Sequence, residues 1–150
     1  MKRLALLSLA IFIAGVTSAP ALSNPHRRAA ISIAQAPAGP AVLATANFVT
    51  AEKDHPTQGT VRILEEKGKR YVEFSADFKT VEGPAVAVIL HRGHTVAVNI
   101  HGKDYITLAP LRSFTGAQRY EIPPQVNLAD FGSVAIWCGD FNVTFGYAPL

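Results

Sequence analysis

The sequence has little cysteine: Cys138 is the only one in 150 residues. No disulfide can form within the chain, so its fold has to rest on a hydrophobic core. The thiol is free, paired with another chain, bound to another group, or buried. The sequence alone leaves these four states open.

The sequence also lacks a block of like charges. Four of the 14 Lys and Arg residues (Lys2, Arg3, Arg27 and Arg28) precede residue 41, so ten remain after it against 11 Asp and Glu. The basic character therefore belongs to the N-terminal part. No basic patch with interleaved aromatic residues is present, and a nucleic-acid partner is not expected.

Catalytic signatures are missing as well. The sequence contains no G-x-S-x-G nucleophile elbow, no G-x-G-x-x-G dinucleotide fingerprint and no P-loop. No Ser, His and acid set stands out, and the carboxylates Asp77 and Glu82 have no evident reason to pair. The sequence does not predict a hydrolase or a stand-alone enzyme of another class.

The longest apolar run, Leu4–Val16, is short for a membrane span and follows Lys2 and Arg3. With the small residues of Ala19–Ala21 behind it, this pattern predicts a secretory signal peptide over residues 1–21; an uncleaved N-terminal anchor is the alternative. Residues 22–41 are rich in Ala and Pro and predict a flexible lead-in. We therefore expect an exported protein of the periplasm, cell envelope or extracellular space, with no membrane span after cleavage.

From residue 42 to 150, short apolar segments alternate with turn residues, and no long helical stripe occurs. This pattern predicts an all-β domain, either a single antiparallel β-sandwich or a partly open barrel. The predicted strands are 42–49, 59–64, 70–74, 85–91, 95–101, 105–108, 119–122, 134–138 and 142–145.

Histidines are the candidate metal ligands. His91, His94 and His101 suit zinc or copper by chemistry, but residues three apart on a straight strand face opposite sides. Histidines at strand ends near solvent are the plainer interpretation. His55, which precedes Pro56, is either an ordinary loop residue or a ligand contact at one end of the sandwich.

Cys138 closes the segment SVAIWC. Strand alternation places Val134, Ile136 and Cys138 on one face and Ala135 and Trp137 on the other. Apolar Trp137 and acidic Asp140 do not favour a thiolate. These residues alone indicate a structural, buried cysteine.

Several short segments, taken in order, resemble the DM-thirteen domain, the electron-transfer DM family. The resemblance runs from about Ala44 to the C-terminus and rests on HPTQGTV at 55–61, FSADF at 74–78, Gly83-Pro84 before an apolar strand, LAPL at 108–111, GAQRYEIP at 116–123, VAIWC at 134–138, and FNV at 141–143 leading to FGYAPL.

The resemblance implies a compact β-sandwich-like domain that works outside the cytoplasm, with Cys138 as the redox-active residue. Relatives can accompany DOMON haem-binding domains and membrane cytochromes, so haem or a metal would come from a partner rather than from this chain. Ala85 stands where the family more often has an acidic residue. Any role of that acid is therefore in doubt here.

Three functional hypotheses follow. The first is an exported redox or electron-transfer accessory domain acting through Cys138 with an unknown redox or cell-envelope protein. The second is a non-catalytic cell-envelope module that binds a protein or glycan, with His55, Asp77, Gly83, Pro84 and Trp137 as candidate binding residues and Cys138 structural. A metal-binding sandwich using His91, His94 and His101 is the third.

Overall fold

The computed structural model describes residues 39–150. The predicted signal peptide, residues 1–21, and most of the predicted lead-in, residues 22–41, lie outside this part of the chain. Residues 39–150 contain no α-helix, only two single 3-10 turns at Gly102–Asp104 and Leu128–Asp130. Within the same residues no helix is long and apolar enough to cross a membrane.

Nine strands form two antiparallel sheets. One sheet has the order β1-β3-β4-β7 and the other β2-β9-β8-β5-β6, and they are not closed into a barrel. The predicted all-β sandwich is therefore confirmed. The strands are β1 (Ala41–Asn47), β2 (Val49–Thr50), β3 (Thr60–Glu66), β4 (Lys69–Phe74), β5 (Val86–His91), β6 (Tyr105–Pro110), β7 (Gln118–Ile122), β8 (Ser133–Cys138) and β9 (Val143–Pro149).

The predicted first strand divides at Phe48 and serves both sheets. β1 pairs with β3, whereas β2 pairs with β9 on the other side of the core. The Phe48 ring packs between the sheets, 5.3 Å from the ring centroid of Phe74 and 5.4 Å from that of Phe78. The chain therefore changes sheet at a residue whose ring is buried in the core.

The turn between β3 and β4 is tight. Glu66 pairs with Lys69, so only Lys67 and Gly68 lie between the strands. Both have positive φ, 52° and 76°. A two-residue turn of this kind matches the right-handed twist of the strands it joins.

The core lies between the two sheets and follows the strand period of two. Val134, Ile136 and Cys138 face this core, while Ala135 faces the outer side of the sheet with Trp137 packed near it, as the alternation predicts. All six residues of β5 are buried. Its apolar residues are covered on both faces, Val86, Val88 and Leu90 by the core between the sheets and Ile89 by the outer cluster.

The prediction of a strand over residues 95–101 is wrong. This segment is irregular and covers the outer face of the five-stranded sheet, where Val96 and Ile100 are buried against Ile89 and Ala135. Val98 O accepts a hydrogen bond from Thr144 N at 2.7 Å. The apolar β-branched residues cover the sheet instead of extending it. Their alternation with polar residues in the sequence is the same as that of a strand.

Candidate functional site

Four parts of the fold meet around a cleft at one end of the sandwich. They are the end of β8, the start of β9, the turn before β5 and the loop after β2. The cleft has a volume of about 420 Å³, within the usual range for small-ligand pockets. Its lining residues are His55, Glu82, Gly83, Pro84, Cys138, Phe141, Val143 and Phe145.

Cys138 lies between the core and this cleft. It is only 1% exposed and packs with the core residues, yet it also lines the cleft. Its thiol donates a hydrogen bond to Pro84 O, with Sγ 2.8 Å from the oxygen. The contact follows from the register, because Val86, two residues after Pro84, pairs with Cys138 across β5 and β8.

The turn over residues 83–85 is held in an unusual backbone conformation. Ala85 has a φ of 48°, in the left-handed region, and its carbonyl accepts from Gly139 N at 3.0 Å. Gly83 lies so close to Phe145 that a Cβ there would be 3.1 Å from ring atom Cζ. A residue without a side chain lets this turn approach the wall of the cleft.

His55 is fixed to another wall by two contacts. Its ring stacks on Phe145, with centroids 4.3 Å apart and planes 17° apart. Its Nδ1 is hydrogen-bonded to Glu52 Oε2. This hydrogen bond is the main reason why the pKa of Glu52 lies below its usual value. Ala51 N donates to Phe145 O at 2.9 Å, so the loop backbone is also attached to β9.

The rim of the cleft is apolar and acidic. Phe141 is 67% exposed, a large fraction for an aromatic side chain, and Glu82 is exposed. None of the described residues that line the cleft is a lysine or arginine. The lining residues that could act on the sulfur as a base are therefore His55 and Glu82.

A second depression, of about 480 Å³, lies over the four-stranded sheet, and its lining includes Arg62, Glu73 and Arg119. Its Arg119 donates to Glu73 at 3.0 Å, and Arg62 is paired with the same carboxylate. These charges satisfy one another. We therefore place the candidate site at the cleft that contains Cys138.

The structure brings His55, Gly83, Pro84 and Cys138 together, but it places two other predicted binding residues elsewhere. Asp77 is exposed in the turn after β4 and does not line the cleft. Trp137 faces the outer side of its sheet, where its Nε1 donates to Asn142 Oδ1 at 3.1 Å.

The three candidate metal ligands, His91, His94 and His101, do not converge. His91 is buried and its Nδ1 accepts from Gly93 N at 3.0 Å, whereas His94 and His101 are exposed. Among residues 39–150 no group of three or more His, Cys, Asp or Glu side chains is arranged to hold a metal ion.

Comparison with known families agrees with this architecture. A family model described as "Electron transfer DM13" matches residues 47–150. The chain belongs to the DM13 family. No curated protein and no solved structure matches the chain.

Membership in the DM13 family raises the question of whether the cleft could offer its sulfur to a haem iron or metal of a partner. Cys138 is 1% exposed and its thiol is engaged by Pro84 O. The described residues therefore do not present Sγ as a ligand. That a partner supplies haem or a metal stays a prediction.

Sequence reasoning missed four of the residues around the cleft, namely Glu52, Glu82, Phe141 and Phe145. For Glu52 a signal existed, because a carboxylate three residues before His55 in a turn can reach its ring. Phe141 and Phe145 belong to segments that carry the DM13 resemblance. Their contacts with His55 and the cleft depend on the sandwich and have no local signature.

Proposed function

We propose that this chain is an exported redox accessory domain in which Cys138 is the residue that is oxidised and reduced. The observation that carries the proposal is the position of Cys138: the residue belongs to the core and also lines a cleft about 420 Å³ in volume. The family description, electron transfer, supports the same direction.

A lone thiol limits the chemistry. With one cysteine in the chain, no internal dithiol–disulfide cycle is available. With a peroxide as oxidant, the thiolate sulfur attacks one oxygen, an S–O bond forms as the O–O bond breaks, and hydroxide leaves. The sulfenic acid then condenses with a partner thiol to give a mixed disulfide and water, and a second thiol restores Cys138.

The test is stoichiometric oxidation of the folded full chain by hydrogen peroxide, followed by sulfenic-acid trapping and mass spectrometry. We expect one trapped adduct, located at Cys138. In a parallel sample without the trapping reagent, a thiol reductant should return the oxidised Cys138 to the thiol. Cys138→Ser, a change of one atom, should remain folded and give no adduct.

The rate of Cys138 oxidation shows whether the native fold is the reacting species. We expect Cys138 to be oxidised faster than the slowest core amides exchange, since the cleft gives access without global opening. Oxidation that occurs only at the rate of global unfolding would overturn the proposal.

One observation favours a second candidate, a cell-envelope module that binds a protein or glycan. Phe141, 67% exposed at the cleft rim, is the type of aromatic side chain that anchors such partners. This candidate expects Cys138→Ala to retain binding to cell-envelope fractions and Phe141→Ala to lose it. Equal loss in both variants would instead assign the binding to the cysteine.

A further inference from the structure

The Glu52–His55 pair is held more firmly than a surface loop requires. The ring of His55 has Phe145 against one face and Glu52 on Nδ1, and His55 N donates to Glu52 O at 3.0 Å. Two contacts to the ring and one backbone hydrogen bond thus fix a residue whose side chain is 35% exposed. Such restraint has a chemical consequence for the ring.

That consequence is the choice of nitrogen. An ionised carboxylate can only accept a hydrogen bond, so Glu52 holds the proton on Nδ1 of His55. The lone pair of the neutral ring is then on Nε2, which makes no hydrogen bond within residues 39–150. This arrangement, a carboxylate that fixes an imidazole with one free basic nitrogen, is the one found in base-activated nucleophile sites.

The thiol of Cys138 needs such a base. Its hydrogen-bond partner, Pro84 O, accepts the S–H but cannot take the proton at neutral pH. Two other titratable groups line the cleft, His55 and Glu82, and Glu82 is exposed at the rim. Lys53 and Asp54, on the loop beside His55, are not part of the lining.

We propose that His55, held by Glu52, is the proton acceptor for the Cys138 thiol and acts across the cleft through the water or co-substrate that fills it. The proton passes from Sγ through that molecule to Nε2, and the sulfur lone pair attacks the electrophile. When peroxide is the electrophile, the proton returns to the leaving hydroxide and gives water. Glu52 is a positioning residue, because it acts only through His55. The inference rests on the proposed function.

The experiment measures the rate of Cys138 alkylation by iodoacetamide in the folded full chain between pH 5 and 9. The reagent is uncharged and the chain has a single thiol, so one rate is observed. We expect a rate component on the acid side of this range, where a thiol without a base carries little thiolate.

His55→Phe is the decisive variant, because it keeps a ring to stack on Phe145 and removes the base. It should lose this component and react more slowly at pH 7, by about tenfold or more. Glu52→Gln should lower the same component, since an amide no longer fixes the proton on Nδ1. His94→Phe is the matched control: it changes an exposed histidine outside the cleft and should leave the profile unchanged.

The outcomes separate the two proposals. If His55→Phe is folded and keeps the wild-type pH profile, the role of His55 is overturned while oxidation of Cys138 stands. If wild-type Cys138 reacts only at the rate of global unfolding, both fail. A lower rate at every pH with an unchanged profile means that His55 only shapes the cleft, and this also overturns the inference.

Discussion

At the scale of single residues, we expect Phe141 to limit access of reagents to the Cys138 thiol. It lines the same cleft and is the most exposed aromatic ring there, while Cys138 beneath is almost fully buried. Its removal widens the entrance without touching the core. The reactivity of the sulfur should therefore depend on a side chain three positions away.

We predict that Phe141→Ala raises the rate of Cys138 alkylation in the folded protein several-fold and changes the free energy of unfolding by less than about 0.5 kcal/mol. Alkylation followed by mass spectrometry under native conditions measures the first quantity. Val49→Ala is the control, an exposed apolar residue that does not line the cleft. An equal effect in both variants would contradict the role of Phe141.

Tyr120 carries a second prediction at this scale. Its buried hydroxyl accepts from Arg112 N at 3.0 Å and donates to Gln118 Oε1. Tyr120→Phe leaves the Arg112 N–H without this acceptor and should lower the free energy of unfolding by about 1–2 kcal/mol at pH 7.

The pH dependence of this loss has a definite sign. Burial raises the pKa of Tyr120, so the folded state holds the phenol proton more tightly than the unfolded state does. Its contribution to stability is complete below the ordinary tyrosine pKa of about 10 and is lost as the pH rises above it. The difference between wild type and Tyr120→Phe in urea unfolding should therefore narrow above pH 10. A constant difference would contradict the assignment.

At the scale of elements, the turn before β5 carries backbone strain. Ala85 has positive φ, which costs an L-residue about 1 kcal/mol relative to glycine. Ala85→Gly should raise the free energy of unfolding by about 0.5–1 kcal/mol. Ala129→Gly, at an exposed position without positive φ, should lower it, and chemical denaturation measures both. Destabilisation by Ala85→Gly would mean that the Ala85 methyl group makes a contact worth more than the strain.

Local pattern was sufficient to predict most strands and the sandwich. β5 and β8 could be recognised because each is a short, largely apolar segment, and the structure buries every residue of β5 and all of β8 except Trp137, which is half-buried. The segment over residues 95–101 could not, since a cover over a sheet and a strand within it bury the same apolar residues. The division at Phe48 also escaped prediction, because it depends on where the two sheets lie in space.

The candidate site was predictable only in part, for a related reason. Loops cluster at the ends of a sandwich, and this places His55 near Gly83 and Pro84. The same rule does not say which end a loop reaches, so Asp77 was included although it lies elsewhere. The position of Trp137 outside the cleft is explained by strand alternation, which turns its side chain away from the side that Cys138 faces.

At the scale of the whole molecule, Trp137 and Cys138 are two adjacent probes on opposite faces of one sheet. Trp137 is the only tryptophan and packs near Tyr105 on the outer face, 4.9 Å between ring centroids. Cys138 reports on the core between the sheets. We expect denaturation curves from tryptophan fluorescence and from thiol protection to coincide, as for one cooperative unit. An earlier fluorescence transition would show that the covering segment over residues 95–101 detaches first.

The hydrogen bond from Cys138 to Pro84 has a consequence for contacts between copies of the protein. A disulfide requires two Cα atoms to approach within about 7 Å, and a sulfur on the floor of a cleft cannot reach its equivalent in a second molecule. Concentrated protein stored in air should therefore resist covalent dimerisation, although every molecule carries a thiol. The fold therefore favours small or slender reaction partners over a second copy of the protein.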